Sequence, residues 1–169
     1  MGTKYGLFSK GDVIRTNPSD GFYGIAVVLD DPVKLELSPG RWSHPMCHIA
    51  ITPLVFQHEV SLDDIVIADL KPTSFLTHKL IDGKSVPYRL DLCIGIYTNR
   101  NIVHLPIIGK IDPSHIYTEP LLWTPQGDRF FLYGDVSASL GAEAYVNWKK
   151  ENSSNENLNT NIQPKEMQP

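Results

Sequence analysis

The chain has 169 residues, 41% hydrophobic and 20% charged, the balance of one globular domain with a core of its own. Its net charge of −4 argues against a nucleic-acid binder, which needs a basic face. No apolar run approaches the ~18–20 residues of a transmembrane helix, and "MGTKYGLFSKGD" lacks the apolar core of a secretory signal. A cytoplasmic protein with reduced Cys47 and Cys93 is expected.

In chain order, "GDVIRT" (11–16) and "FYGIAVVLD" (22–30) flank the turn formers "NPSDG" and predict an antiparallel hairpin. Two-residue alternation puts Tyr23, Ile25, Val27 and Leu29 on one face of the second strand and Gly24, Ala26 and Val28 on the other. The small pair Gly24 and Ala26 predicts close packing there, by another strand. "SPGRWSHP" (38–45) reads as a loop, and "MCHIAIT" (46–52) and "DIVIADL" (64–70) read as strands. A short helical turn is expected around 73–80, followed by a hairpin signal at Asp82-Gly83. "LCIGIYT" (92–98), "IVHLPIIG" (102–109) and "RFFLYGDV" (129–136) complete the strands, with a turn at "TNRN" (98–101). Pro106 cannot donate to a ladder and marks an edge or a bulge.

A helix is expected over 139–150. Leu140, Ala144 and Trp148 recur every four residues with Tyr145 beside them, Ser139 caps the start, and Lys149 and Lys150 suit the C-terminal dipole. The last 19 residues hold five Asn and only scattered apolar residues, so 151–169 reads as a disordered tail. The expected fold is a single mainly β (α+β) domain over 1–150, a twisted, partly closed antiparallel sheet with a C-terminal helix.

Catalytic signatures fail one by one. The chain has no G-x-S-x-G, no phosphate-cradling glycine loop and no C-x-x-C. "HEVSL" (58–62) puts Leu62 where a zinc protease needs its second histidine. "WSHPMCHIAI" (42–51) packs His44, Cys47 and His48 together, yet Pro45 and the β-branched run favour extended chain. Extended chain separates His44 from His48 by ~13 Å, too far for one ion, although a bend at Pro45 would shorten that. Cys47 then shares a face with Ile49 and Ile51 as a small buried hydrophobe, and His48 takes the opposite face. No metal, cofactor or catalytic residue is expected. His104 with an acid across a sheet is the pair that a small hydrolase reading would need.

Between Asp30 and Asp69 stand seven acids, Asp30, Asp31, Glu36, Glu59, Asp63, Asp64 and Asp69, against Lys34 and Arg41. An acidic stretch of this kind suits a basic protein partner. Arg41 and Trp42, in the Pro/Gly loop, have the side-chain chemistry enriched at interface hot spots. Asp30, Asp31, Glu36, Arg41, Trp42, Glu59, Asp63 and Asp64 are the expected partner-binding residues.

"KGDVIRTNPSDGFYGIAVVLDD" (10–31) resembles the opening of immunity protein family 26 of bacterial polymorphic and contact-dependent toxin systems. "PIIGKID" (106–112) is similar to that family's later Ile-Gly motif, and Trp123 with "GDRFFLYG" (127–134) is a looser match. Ile25-Ala26 stands where the family pattern has a further glycine or aromatic. The resemblance implies a cytoplasmic antidote, without catalytic residues, that binds one toxin domain and blocks it. A nuclease toxin would present the basic surface that the acidic stretch suits. The competing readings are a small hydrolase and a β-barrel adaptor for a peptide or subunit.

Overall fold

The computed structural model describes residues 8–98, 105–124, 132–134 and 140–159. Strands β1 (Asp12–Ser19) and β2 (Phe22–Val28) form the expected hairpin. The turn is shorter than "NPSDG": it narrows to Asp20-Gly21, with Gly21 at φ +75°. Asn17 supports it by donating from Nδ2 to the carbonyls of Ser19 (3.0 Å) and Phe22 (2.7 Å).

A two-strand ribbon follows, β3 (Glu36–Ser38) and β4 (Arg41–Trp42), then the long β5 (Met46–Phe56). Strands β6 (Ser74–Ile81) and β7 (Lys84–Leu92) make a second hairpin. Next come β8 (Ile94–Thr98), β9 (Ile107–Lys110), β10 (Leu132–Gly134) and the helix α1 (Ala142–Asn159). The main sheet has the order β10-β8-β5-β2-β1-β9, antiparallel except for β10, which runs parallel to β8. Pro106 sits where expected, just before the edge strand β9, and its carbonyl accepts from Arg15 N at 2.9 Å.

The fold is mainly β with a C-terminal helix, as expected, and its sheets are not closed into a barrel. The edge strands of the main sheet are β9 and β10. On one face Ile14, Ala26, Val28, Cys47, Ile49 and Ile51 pack under Leu140 and Ala144 of the helix segment. The helix, rather than a strand, packs over the Ala26 face. Gly141, at φ +90°, brings its start so close that a Cβ there would lie 2.6 Å from Thr16 Oγ1. On the other face Val13, Ile25, Val27, Leu29 and Ala50 meet Val60, Ile65, Leu70 and Ile116. This is the alternation read for β2, and each fully buried Ile or Val contributes about 2 kcal/mol.

Three expectations need correction. Residues 64–70 are not a strand: two 3-10 turns, Leu62–Asp64 and Ile67–Asp69, replace it. Asp64 Oδ2 accepts from Ser61 N (2.8 Å) and Oγ (3.1 Å), a local bond that competes with a ladder. The turns send Ile65 and Leu70 inward and leave Val66 exposed. Residues 74–80 are strand, not helical turn. Asp82 (φ +50°) and Gly83 (φ +74°) form the two-residue turn with two positive φ values that fits strand twist. The helix passes the expected end at 150 and runs to Asn159. Asn152 Nδ2 donates to Trp148 O (2.8 Å) and Ser154 Oγ to Lys150 O (2.9 Å), extending an exposed helix.

Ser139, His104, Phe130, Phe131, most of the 98–101 turn, residues 102–104, the ends of 129–136 and residues 160–169 lie outside the described residues.

Both roots of the second hairpin attach to the middle of β5. Thr73 N donates to Ile51 O (2.7 Å), Ile51 N to Cys93 O (2.9 Å) and Cys93 N to Thr73 O (2.7 Å). From this anchor the hairpin projects as an arm, paired with no third strand among the described residues.

Candidate interaction surfaces

The His44–Cys47–His48 cluster resolves into structure. Cys47 lies on the Ile49 and Ile51 side and is fully buried, and burial, then the charges of Asp30 and Asp12, push its thiol up to about 12. Such a thiol is a poor nucleophile. His48 takes the opposite side and is also fully buried. Its backbone N donates to Asp30 Oδ1 and its Nδ1 to Asp30 Oδ2, both at 2.7 Å. Its Nε2 lies 2.8 Å from Leu122 O, and the Trp123 ring packs edge-on at 4.3 Å between centroids. Both ring nitrogens are therefore occupied by acceptors. The histidine ties β5, the end of β2 and the 122–123 segment together. Among the described residues no group of three His, Cys, Asp or Glu is placed to hold a metal ion.

The expected partner-binding residues fall into three sets. Asp30 is engaged by His48, and Asp31 Oδ1 accepts from Lys10 N at 2.9 Å, so both hold the fold at the end of β2. Glu36, Arg41 and Trp42 come together on the β3–β4 ribbon, where Glu36 is the cross-strand partner of Trp42. Glu36 Oε1 accepts from Gly40 N at 2.8 Å and fixes the turn. The "SPGRWSHP" segment is thus partly strand, and the ribbon holds Trp42 58% exposed and Leu37 61% exposed. Glu59, Asp63 and Asp64 belong to the segment leading into and forming the first 3-10 turn. Glu59 pairs with Arg15 at 3.4 Å. Asp63 is exposed, and the Ser61 backbone and hydroxyl hold the Asp64 carboxyl below the usual range.

Sequence reasoning missed the arm. By register Leu76 faces Leu90, Ser74 faces Leu92 and Leu80 faces Ser85, so all four leucines share one face. Leu80 is 76% and Leu90 69% exposed, with Leu76 and Leu92 nearly half exposed. Full burial of a leucine is worth about 2 kcal/mol, so the four leave several kcal/mol of burial unrealised. The other face is mixed: Thr77 Oγ1 bonds Asp91 Oδ2, Arg89 pairs with Asp91 at 2.8 Å and Lys79 stacks on Tyr88 at 4.4 Å, alongside the apolar Phe75, Ile81 and Val86. Helix α1 touches the arm at its root, where Asn147 Nδ2 donates to Ser74 O at 3.0 Å. Beyond that contact lies an open groove of about 970 Å³. One wall is Leu76, His78, Leu90 and Leu92, and the other is Glu143, Asn147, Trp148, Lys150 and Glu151. The Leu and Ser spacing about Asp82-Gly83 carried this signal in the sequence.

Among the described residues no helix is long and apolar enough to cross a membrane. No protein-family model, curated protein or solved structure matches the chain.

Proposed function

We propose that the chain is a protein-binding module of the immunity type, which captures a cognate toxin domain in the cytoplasm and neutralises it. The observation that carries this reading is the β3–β4 ribbon, which holds Trp42 and Leu37 out to solvent beside Arg41. Large apolar side chains held on a short, hydrogen-bonded ribbon lose little entropy when they enter a partner's pocket. Asp63 and Glu59, exposed on the acidic segment, favour a basic partner and speed its approach. A nuclease domain is the toxin class with that charge. The resemblance of residues 10–31 to immunity protein family 26 supports the same reading. The hydrolase alternative gains nothing from His48, which is buried with both nitrogens engaged.

The test is co-expression with the toxin domain encoded beside this chain. Growth is expected to be rescued, with a nanomolar complex isolated from the cells. Absence of rescue and of any complex with the neighbouring gene product overturns the reading.

A further inference from the structure

Each strand of a two-stranded ribbon keeps one edge of unpaired backbone groups, and such an edge is a template for a further strand. In the arm, Cys93 N donates to Thr73 O, and the ladder continues through Phe75 opposite Asp91 and Thr77 opposite Arg89. The residues between, Ser74, Leu76 and His78, therefore turn their N–H and C=O groups away from β7. Two side chains mark that direction. Ser74 O accepts from Asn147 Nδ2 of helix α1 at 3.0 Å, and Leu76 O lies 3.1 Å from Nδ1 of His78.

The two edges of the arm differ. Strand β7 carries Pro87, which has no N–H, at a register shift, and both features blunt an edge. Strand β6 has no proline in its eight residues, and among the described residues no strand pairs with its outer edge. That edge faces helix α1 across the groove, whose arm wall runs unbroken from Lys71 to Leu76 and on to His78. A strand edge opposite a helix is suited to an extended peptide, which adds to the edge as a strand. Around the groove Lys71 and Lys150 offset Glu143 and Glu151, so charge selects neither sign.

We propose that this groove is a peptide site, in which an extended, uncharged segment of another polypeptide adds to β6 as a third strand. Its backbone pairs with the outward groups of Ser74, Leu76 and His78 and displaces the His78 ring from Leu76 O. Its alternate side chains lie against Leu76, Leu90 and Trp148. A segment of about five residues spans the ~13 Å from Ser74 to His78. The β3–β4 ribbon stays uncovered, so toxin capture and peptide binding fail separately.

The probe is a peptide selected on the full chain from a displayed random library. Bound peptide should protect the amides of 74–78 from hydrogen exchange. Methylating its backbone nitrogens one at a time should weaken binding at least about tenfold at every second residue and leave the residues between unaffected. That scan uses the unaltered protein, so no variant needs to fold. His78→Ala keeps the outer N–H and should bind at least as well as the parent. His78→Pro lacks it and should bind at least about tenfold more weakly. Trp42→Ala on the ribbon should leave peptide binding unchanged. A library without a binder that protects 74–78, a methylation profile without alternation, or equal affinity of the two His78 variants overturns the proposal. Sedimentation at twice the chain mass of 19.0 kDa without peptide, with 74–78 already protected, also overturns it, since a second copy then holds the edge.

Discussion

Asp30 and His48 meet through two bonds of 2.7 Å, one to the backbone N and one to Nδ1. The histidine has no exposed surface, and the carboxylate is 23% exposed. This pair locks the end of β2 to β5 and, through Nε2, to Leu122.

His48→Ala should therefore cost about 3 kcal/mol, because it opens a cavity and strands the oxygens of Asp30 and Leu122. Asp30→Ala should cost about 2 kcal/mol. Urea unfolding measures both. Toxin affinity of the folded Asp30→Ala protein should change by less than about threefold, whereas an interface acid at a buried contact costs far more. Unaltered stability in both variants would refute the locking role.

Trp42→Ala should leave the urea midpoint in place, since the ring is 58% exposed. Toxin binding should weaken by about 2 kcal/mol or more, roughly thirtyfold. Calorimetric titration checks this, and an unchanged affinity would remove the ribbon from the interface.

Stability should fall at alkaline pH. Burial pushes the thiols of Cys47 and Cys93 up to about 12, with Asp30 and Asp12 adding to the first and Glu143 to the second. The hydroxyl of Tyr97 is pushed up by burial in the same way. An unfolded thiol ionises at its ordinary value of 9.0, so above that pH the unfolded chain releases protons that the folded chain retains. The contribution is complete below pH 9 and is lost as pH rises toward 12. Urea midpoints at pH 7, 9 and 10.5 should hold between the first two and drop at the third. Cys47→Ala should flatten that drop, and an equal drop in the variant would exclude this thiol as a cause.

Gly141 and Thr16 give a paired test of the helix start. Gly141→Ala meets both a φ of +90° and a Cβ contact of 2.6 Å with Thr16 Oγ1, so it should cost about 2 kcal/mol. Thr16 Oγ1 is buried with no hydrogen-bond partner among the described residues, and Thr16→Val should raise stability by about 1 kcal/mol. Thermal unfolding reads both, and a loss in Thr16→Val would point to a bond the hydroxyl makes in solution.

Local rules made part of this legible in the sequence. Asp82-Gly83 marked its turn, Pro106 its edge strand, and Leu140 and Ala144 the buried contacts at the start of α1. Cys47 fell on the side that alternation assigned. The rest depends on contacts between distant segments. His48 reaches Asp30 only because β2 and β5 pair with Val28 opposite Ile49, which puts Leu29 N on His48 O at 2.9 Å. No spacing rule encodes a register across 18 residues. "DIVIADL" has strand composition, yet it forms two 3-10 turns, the first capped by Ser61 and Asp64. The exposure of the arm's leucines was hidden for a similar reason: alternation finds a face but not what covers it.

The anchoring of the arm at Ile51 bears on how such a protein can diversify. Thr73 and Cys93 bond each other and the same β5 residue, so the chain leaves and re-enters the sheet at one point. Residues 74–92 are therefore a removable cassette. A short glycine linker from 73 to 93 would close the gap with the scaffold intact, and a hairpin of another length or sequence would graft onto the same stump. New binding preferences can accumulate there without repacking a single residue of the main sheet.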